Sequence, residues 1–133
     1  MVDKNMKILV VDDFATMRKI IRTVLKDLGF SNVEEVSDGS EAISFLKSRG
    51  ADPITGYKLI LCDWNMPDIT GIDVVRFVKS QEELKDIPII MVTSEAQKEH
   101  IIEALQAGVN NYIVKPFTGE ILMGKIEEVF KDK

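Results

Sequence analysis

Cysteine, histidine and tryptophan each occur once in the 133 residues, as Cys62, His100 and Trp64. A single thiol excludes a disulfide framework, and a reducing, cytoplasmic compartment is the expectation that follows. Cys62 is expected to pack as a small core residue. His100 has no partner at metal-ligand spacing, so it is assigned no role and is expected to be exposed. The eight glycines are scattered. Neither G-x-G-x-x-G nor G-x-x-x-x-G-K-[ST] occurs, which removes the glycine-loop signals of a nucleotide- or flavin-binding module. No apolar run approaches the roughly 20 residues of a membrane span. The opening MVDKNMK lacks the apolar stretch of a signal peptide, so no membrane insertion is expected. The net charge is -5 without a lysine or arginine cluster, which argues against nucleic-acid binding. There is no internal repeat, low-complexity tract or break in composition, and a single domain over residues 1–133 is the natural reading.

What is present is an alternation of apolar runs and helical patterns. Ile8, Leu9, Val10 and Val11 form an unbroken run that reads as a strand buried on both faces. Met17, Ile20, Ile21, Val24, Leu25 and Leu28 recur at helical spacing, and Gly29 closes that helix. A short strand is expected at 33–36. A helix from about Ser40 carries Ala42, Ile43, Phe45 and Leu46 inward. Residues 50–56 form a loop. YKLILCDW is the third strand, NMPDITG a turn, and 72–80 a helix. IPIIMVTS is the fourth strand. Ile101, Ile102 and Leu105 mark the fourth helix, which Gly108 ends, and NYIVKPF is the fifth strand. Thr118 caps a last helix reaching about Lys131. Five buried strands alternating with five helices predict an α/β domain, a parallel sheet covered on both faces. In such sheets ligands sit beyond the carboxyl ends of the strands.

The residues at those ends are Asp12 and Asp13, Asp63, Thr93 and Ser94, and Lys115. Ser37 and Asp38, after the second strand, read as a helix cap. Converging carboxylates repel unless neutralised. A hard divalent cation such as Mg²⁺ resolves this, since it takes oxygen ligands, commonly one or two carboxylates with a phosphate oxygen. Lys115 and the Thr93 hydroxyl would complete a cradle for a transferring phosphoryl group. One carboxylate must then be the nucleophile. Asp63, on the central strand, is the best candidate.

These residues, with Met66-Pro67 and Gly71 after Asp63 and with Lys115-Pro116-Phe117, carry a resemblance over almost the whole chain. The sequence resembles the receiver domains of two-component response regulators, and its stretches VVDDFATMRKI, DWNMPD and YIVKPFT resemble the single-domain chemotaxis subgroup. The resemblance implies a doubly wound, flavodoxin-like (βα)5 fold with strand order 2-1-3-4-5. It implies that Asp63 accepts a phosphoryl group from a histidine kinase. Asp13, Asp63 and the backbone carbonyl of Asn65 would bind Mg²⁺, with Asp12 helping through water. Lys115 would contact the phosphoryl group, and Thr93 and Tyr112 would form the switch. Asn65 and Glu95 would tune the lifetime of the phosphate, and Lys115-Pro116 would be cis. The implied output face lies on the fourth helix, fifth strand and fifth helix, at Ala96, Lys98, Ile101, Tyr112 and Lys125. It would dock on a flagellar motor switch protein. The protein would act as a monomer, not as an enzyme beyond its own phosphorylation and dephosphorylation, with a phosphatase as a possible further partner.

Departures bear on that output. Gly124 falls inside the last helix, where glycine costs about 1 kcal/mol relative to alanine. Glu127 and Glu128 make this helix more acidic than a motor-binding member suggests, and the segment 48–58 is longer than in the common chemotaxis form. A non-motor output or a phosphate-sink role therefore stays open. A phosphatase of the haloacid dehalogenase type needs Asp-x-Asp, and Asn65 stands where its general acid would be.

Overall fold

The computed structural model describes residues 2–94 and 98–131, without the side chains of residues 98 and 99. Strands β1 (Ile8–Val11), β2 (Val33–Val36), β3 (Leu59–Asp63), β4 (Ile89–Thr93) and β5 (Asn111–Val114) alternate with helices α1 (Ala15–Asp27), α2 (Gly39–Phe45), α3 (Gly71–Ser80), α4 (Lys98–Ala107) and α5 (Gly119–Phe130). All strand pairs are parallel, in the order β2-β1-β3-β4-β5. The expected fold class and order are thus observed, with strands a few residues shorter than the apolar runs.

The period-two geometry of a strand divides each run between two cores. Leu9, Val11, Ile60, Cys62, Ile89 and Met91 face the layer that holds Ala42, Leu46, Val75, Val78 and Ala104 of α2, α3 and α4 and the turn after α2. Ile8, Val10, Leu59, Leu61, Ile90, Val92 and Ile113 face Ile21, Leu25, Leu122 and Ile126 of α1 and α5. An uninterrupted apolar run is what a strand with helices on both sides requires.

Helix termini follow local chemistry. The Asp38 side chain accepts from Glu41 N at the start of α2, and Thr118 accepts from Ile121 N at the start of α5. Thr70 and Asp73 form a reciprocal capping box on α3. Gly29 ends α1 at φ +100, a conformation that favours glycine.

Several expectations need correction. Ile20, Ile102 and Leu105 are exposed although they lie on apolar helix stripes. On α4 it is the small Ala104 that is buried, so that helix lies with only a narrow strip against the sheet. Helix α2 does not pass straight into a loop. It widens into a π turn, Leu46–Gly50, and the segment behind it folds back on itself. Gly56 N donates to Asp52 O and Tyr57 N to Gly50 O. Asp52 Oδ1 accepts from Ile54 N and Thr55 N, each at 2.8 Å.

Candidate functional site

Register alone brings the site together. Val11 pairs with Cys62, so Asp12 and Asp63 are the next residues on adjacent strands. Asp12, Asp63 and Lys115 share the alternation parity of Val10, Leu61 and Ile113, and all three emerge on the same side of the sheet. Asp12 and Asp63 are buried and Asp13 is exposed. One carboxylate oxygen from each of the three lies within 4.8 Å of the others.

Lys115 reaches into this group from the far strand. Its Nζ donates to Asp12 Oδ2 at 3.1 Å and to Asp63 Oδ1 at 3.4 Å. The backbone fixes where the lysine starts, since Lys115 N donates to Thr93 O at 2.8 Å. The Lys115-Pro116 peptide bond is cis, as expected. On the other flank Asp12 Oδ1 accepts from Phe14 N at 2.9 Å, and Arg18 Nη1 donates to the Asp12 carbonyl at 2.6 Å. Sequence reasoning missed Arg18. Its position, one turn into α1 and able to reach back over the strand end, was the available signal.

A single ammonium shared by two buried carboxylates, with a third nearby, leaves excess negative charge. Burial therefore pushes the Asp63 carboxyl up to about 6; Lys115 opposes this, while Asp12 and Asp13 add to it. Oxygen-only donors, two of them desolvated and carrying uncompensated charge, fit a hard divalent cation. They offer nothing to a soft one.

Gly71 explains a further part of the motif. A Cβ at this position would lie 2.0 Å from the Asp63 carbonyl oxygen. The same backbone donates from Gly71 N to Trp64 O at 3.0 Å. The turn 64–70 is thereby folded tightly over the end of β3, with Asp68 at φ +64. Asn65 lies exposed in this turn, while Met66 is buried in the core.

Thr93 has the opposite parity from Lys115, the parity of Met91. It lines a narrow crevice with Trp64, Met91, His100, Ile101, Ala104 and Tyr112. Thr93 and Tyr112 thus share one side of the sheet. Tyr112 is half-buried, with Lys125 Nζ 5.2 Å from its ring centroid. His100 is not exposed, contrary to expectation. It is half-buried, and its ring stacks on Trp64 with centroids 5.0 Å apart. Nothing in its sequence spacing signals that contact. Cys62 is fully buried, as expected, and burial pushes its thiol well above the ordinary range. Glu95 and Ala96, together with the side chain of Lys98, lie outside the described residues.

Comparisons with known proteins agree with this geometry. Residues 8–127 match the family described as the response regulator receiver domain. The chain is 52% identical over 126 residues to the chemotaxis protein CheY of Pseudomonas aeruginosa, covering 95% of this chain and 97% of that protein. The crystallised chemotaxis response regulator CheY4 of Vibrio cholerae superposes with a TM-score of 0.82 at 33% identity, covering 94% of this chain and 98% of that one. A receiver domain of a sensor histidine kinase from Pseudomonas aeruginosa superposes with a TM-score of 0.83 at 29% identity, covering 96% of this chain and 99% of that one. It is described with a magnesium ion coordinated in its active-site cleft. The chain belongs to the response regulator receiver domain family of two-component signalling, and it is a receiver of the CheY chemotaxis type.

Proposed function

We propose that the protein is a phosphorylation-activated switch in which Asp63 accepts a phosphoryl group from a phosphohistidine of a histidine kinase. The observation that carries this reading is the cluster of buried Asp12 and Asp63 with half-buried Lys115 at the carboxyl edge of the sheet. An Asp63 oxygen attacks phosphorus, the phosphorus–nitrogen bond breaks, and the imidazole leaves with its electron pair and takes up a proton. The product is an acyl phosphate on Asp63. Asp12, Asp13, Asp63 and the Asn65 carbonyl would hold Mg²⁺, which supplies charge neutralisation for the transferring group. Lys115 turns from its two carboxylates to a phosphoryl oxygen, and the Thr93 hydroxyl donates to another.

Loading this edge with charge and acceptors draws Thr93 toward it, and Tyr112, on the same sheet face, follows inward. The surface of α4, β5 and α5, with Ile101, Tyr112 and Lys125, is then the output face, and the resemblance would add Ala96 and Lys98 to it. A flagellar motor switch protein is the partner we favour. Asn65 and Glu95 would tune the lifetime of the phosphate, and a phosphatase would be a further partner. In this reading the receiver acts as a monomer in the cytoplasm and catalyses only its own modification. The likeness to chemotaxis proteins supports this reading.

The test is mass spectrometry after incubation with acetyl phosphate and Mg²⁺. The wild type should gain one phosphoryl group, and Asp63→Asn or chelated protein none. A wild type that gains no phosphoryl mass with Mg²⁺ and donor would sink the reading. Binding of a motor-switch peptide that does not respond to phosphorylation would sink the motor output and leave the sink or non-motor role.

A further inference from the structure

The amino-terminal edge of the sheet, opposite the carboxylate site, carries a cleft of about 270 Å³. Its lining combines the buried Tyr57 with Pro88 and with Phe130 at the end of α5. Asp52, Glu83 and Asp86 surround this apolar floor, against one lysine, Lys58. That lysine is turned to the backbone, donating from Nζ to Pro53 O at 3.2 Å. Neither Glu83 nor Asp86 is ion-paired among the described residues, and both are exposed. Backbone N–H groups of Thr55 and Ile54 hold the Asp52 carboxyl below its ordinary range, so it stays charged. Ile54, at the tip of the same loop, is 89% exposed.

We infer that this cleft is a docking site for an arginine side chain carried by a peptide segment of a partner protein. The volume falls below the roughly 300–1,000 Å³ of small-molecule sites, which favours one side chain over a whole ligand. An apolar floor under a negative rim complements a side chain with an apolar stem and a cationic head. Arginine suits it better than lysine, because its planar head both forks to carboxylates and stacks on the half-buried ring of Phe130. Ile54 supplies apolar contact for the neighbouring residue of the segment. The cleft shares no residue with the Asp63 cluster, and of the output elements it touches only Phe130 at the end of α5. Docking here therefore tethers the protein without consuming its switch, and it takes place in both phosphorylation states.

The experiment is an amide chemical-shift titration of the full chain in saturating Mg²⁺ with acetyl-Leu-Arg-Leu-amide. The same peptide with citrulline, the neutral isostere of arginine, is the comparison. Saturable shifts should be confined to residues 50–58, 83–88 and 128–131. The citrulline peptide and the Glu83→Gln/Asp86→Asn double variant should each weaken binding about ten-fold. The double variant changes only exposed, unpaired carboxylates, so its unfolding midpoint should match the wild type. Affinity should be equal for Asp63→Asn. No saturable shift, equal binding of the citrulline peptide, or shifts centred on Asp12 and Asp13 would each overturn the inference. So would self-association of the chain that the double variant abolishes, since that assigns the cleft to a second copy.

Discussion

Replacing Asp63 by asparagine is expected to stabilise the metal-free protein at neutral pH, with the gain vanishing in acid. Burial is the main reason that the folded carboxyl rises to about 6 from 3.8, with Lys115 opposing and Asp12 and Asp13 assisting. At a pH well below 3.8 the group is protonated in folded and unfolded chains alike, and its ionisation costs the fold nothing. Between 3.8 and about 6 the unfolded chain has released its proton while the folded chain still holds it. Rising pH therefore favours unfolding through this window. Above it the whole penalty is present. The interval corresponds to about 3 kcal/mol. The open edge of the site lets solvent screen the charge, which reduces the expected gain to about 1–2 kcal/mol. The asparagine carbonyl keeps an acceptor for Lys115 and drops only the charge. Urea unfolding in EDTA, followed by Trp64 fluorescence at several pH values from about 4 to 7.5, measures the difference between the two proteins. Other titrating groups are common to both and largely cancel. Added Mg²⁺ should narrow the gap at neutral pH by binding only the folded wild type strongly. A variant less stable than wild type at neutral pH without metal, or a gain independent of pH, would refute the electrostatic account.

Two glycines should respond in opposite directions to alanine. Gly71→Ala places a Cβ against the Asp63 carbonyl and should cost about 2–4 kcal/mol by urea unfolding; a cost under about 0.5 kcal/mol would mean that the turn moves freely. Gly124 meets nothing within 4 Å of an added Cβ, so Gly124→Ala should raise stability by about 0.5–1 kcal/mol. Tyr57→Phe removes the hydroxyl that donates to Glu34 Oε1 at 2.6 Å. It should cost about 1–2 kcal/mol, and an unchanged midpoint would show that Lys7 and Arg49 satisfy Glu34 by themselves.

The fold and the site were legible for different reasons. Buried parallel strands must be apolar on both faces, so β1, β3 and β4 announce themselves as runs. The candidate site could be picked out because the residues that break those runs, Asp12, Asp63, Thr93 and Lys115, sit where a parallel sheet presents ligands. Depth was not legible. Periodicity identifies the apolar side of a helix but not how closely it approaches the sheet, which is why Ile102 and Leu105 are exposed beside the buried Ala104. Contacts made across loops were also invisible. The π turn continues the helical pattern of α2 without a breaker until Gly50, and the ring stack of His100 on Trp64 depends on how α4 lies. Tyr57 reads as the first residue of a strand, yet its N–H is taken by Gly50 O. It becomes the wall of a cleft instead.

Lys115 offers the sharpest separation of roles, because under the proposed assignment its removal should move two readouts in opposite directions. Its ammonium lies 3.1 Å from Asp12 and 3.4 Å from Asp63, so it competes with a divalent cation for the same carboxylates. Lys115→Met retains much of the stem and deletes the charge. Mg²⁺ then enters a site with one positive charge fewer, and its affinity should rise about ten-fold, the equivalent of about 1.4 kcal/mol. Screening at the open edge keeps the gain far below the unscreened Coulomb value. Phosphorylation by acetyl phosphate should slow in the same variant even at saturating Mg²⁺, because the charge that receives a phosphoryl oxygen is gone. A merely structural lysine predicts weaker Mg²⁺ binding and lower stability together. Tighter metal with slower phosphorylation is the signature of a cation that holds the carboxylates until a phosphoryl group arrives. Unchanged or weakened Mg²⁺ affinity would show that the pair of contacts to Asp12 and Asp63 does not set the charge balance of the site.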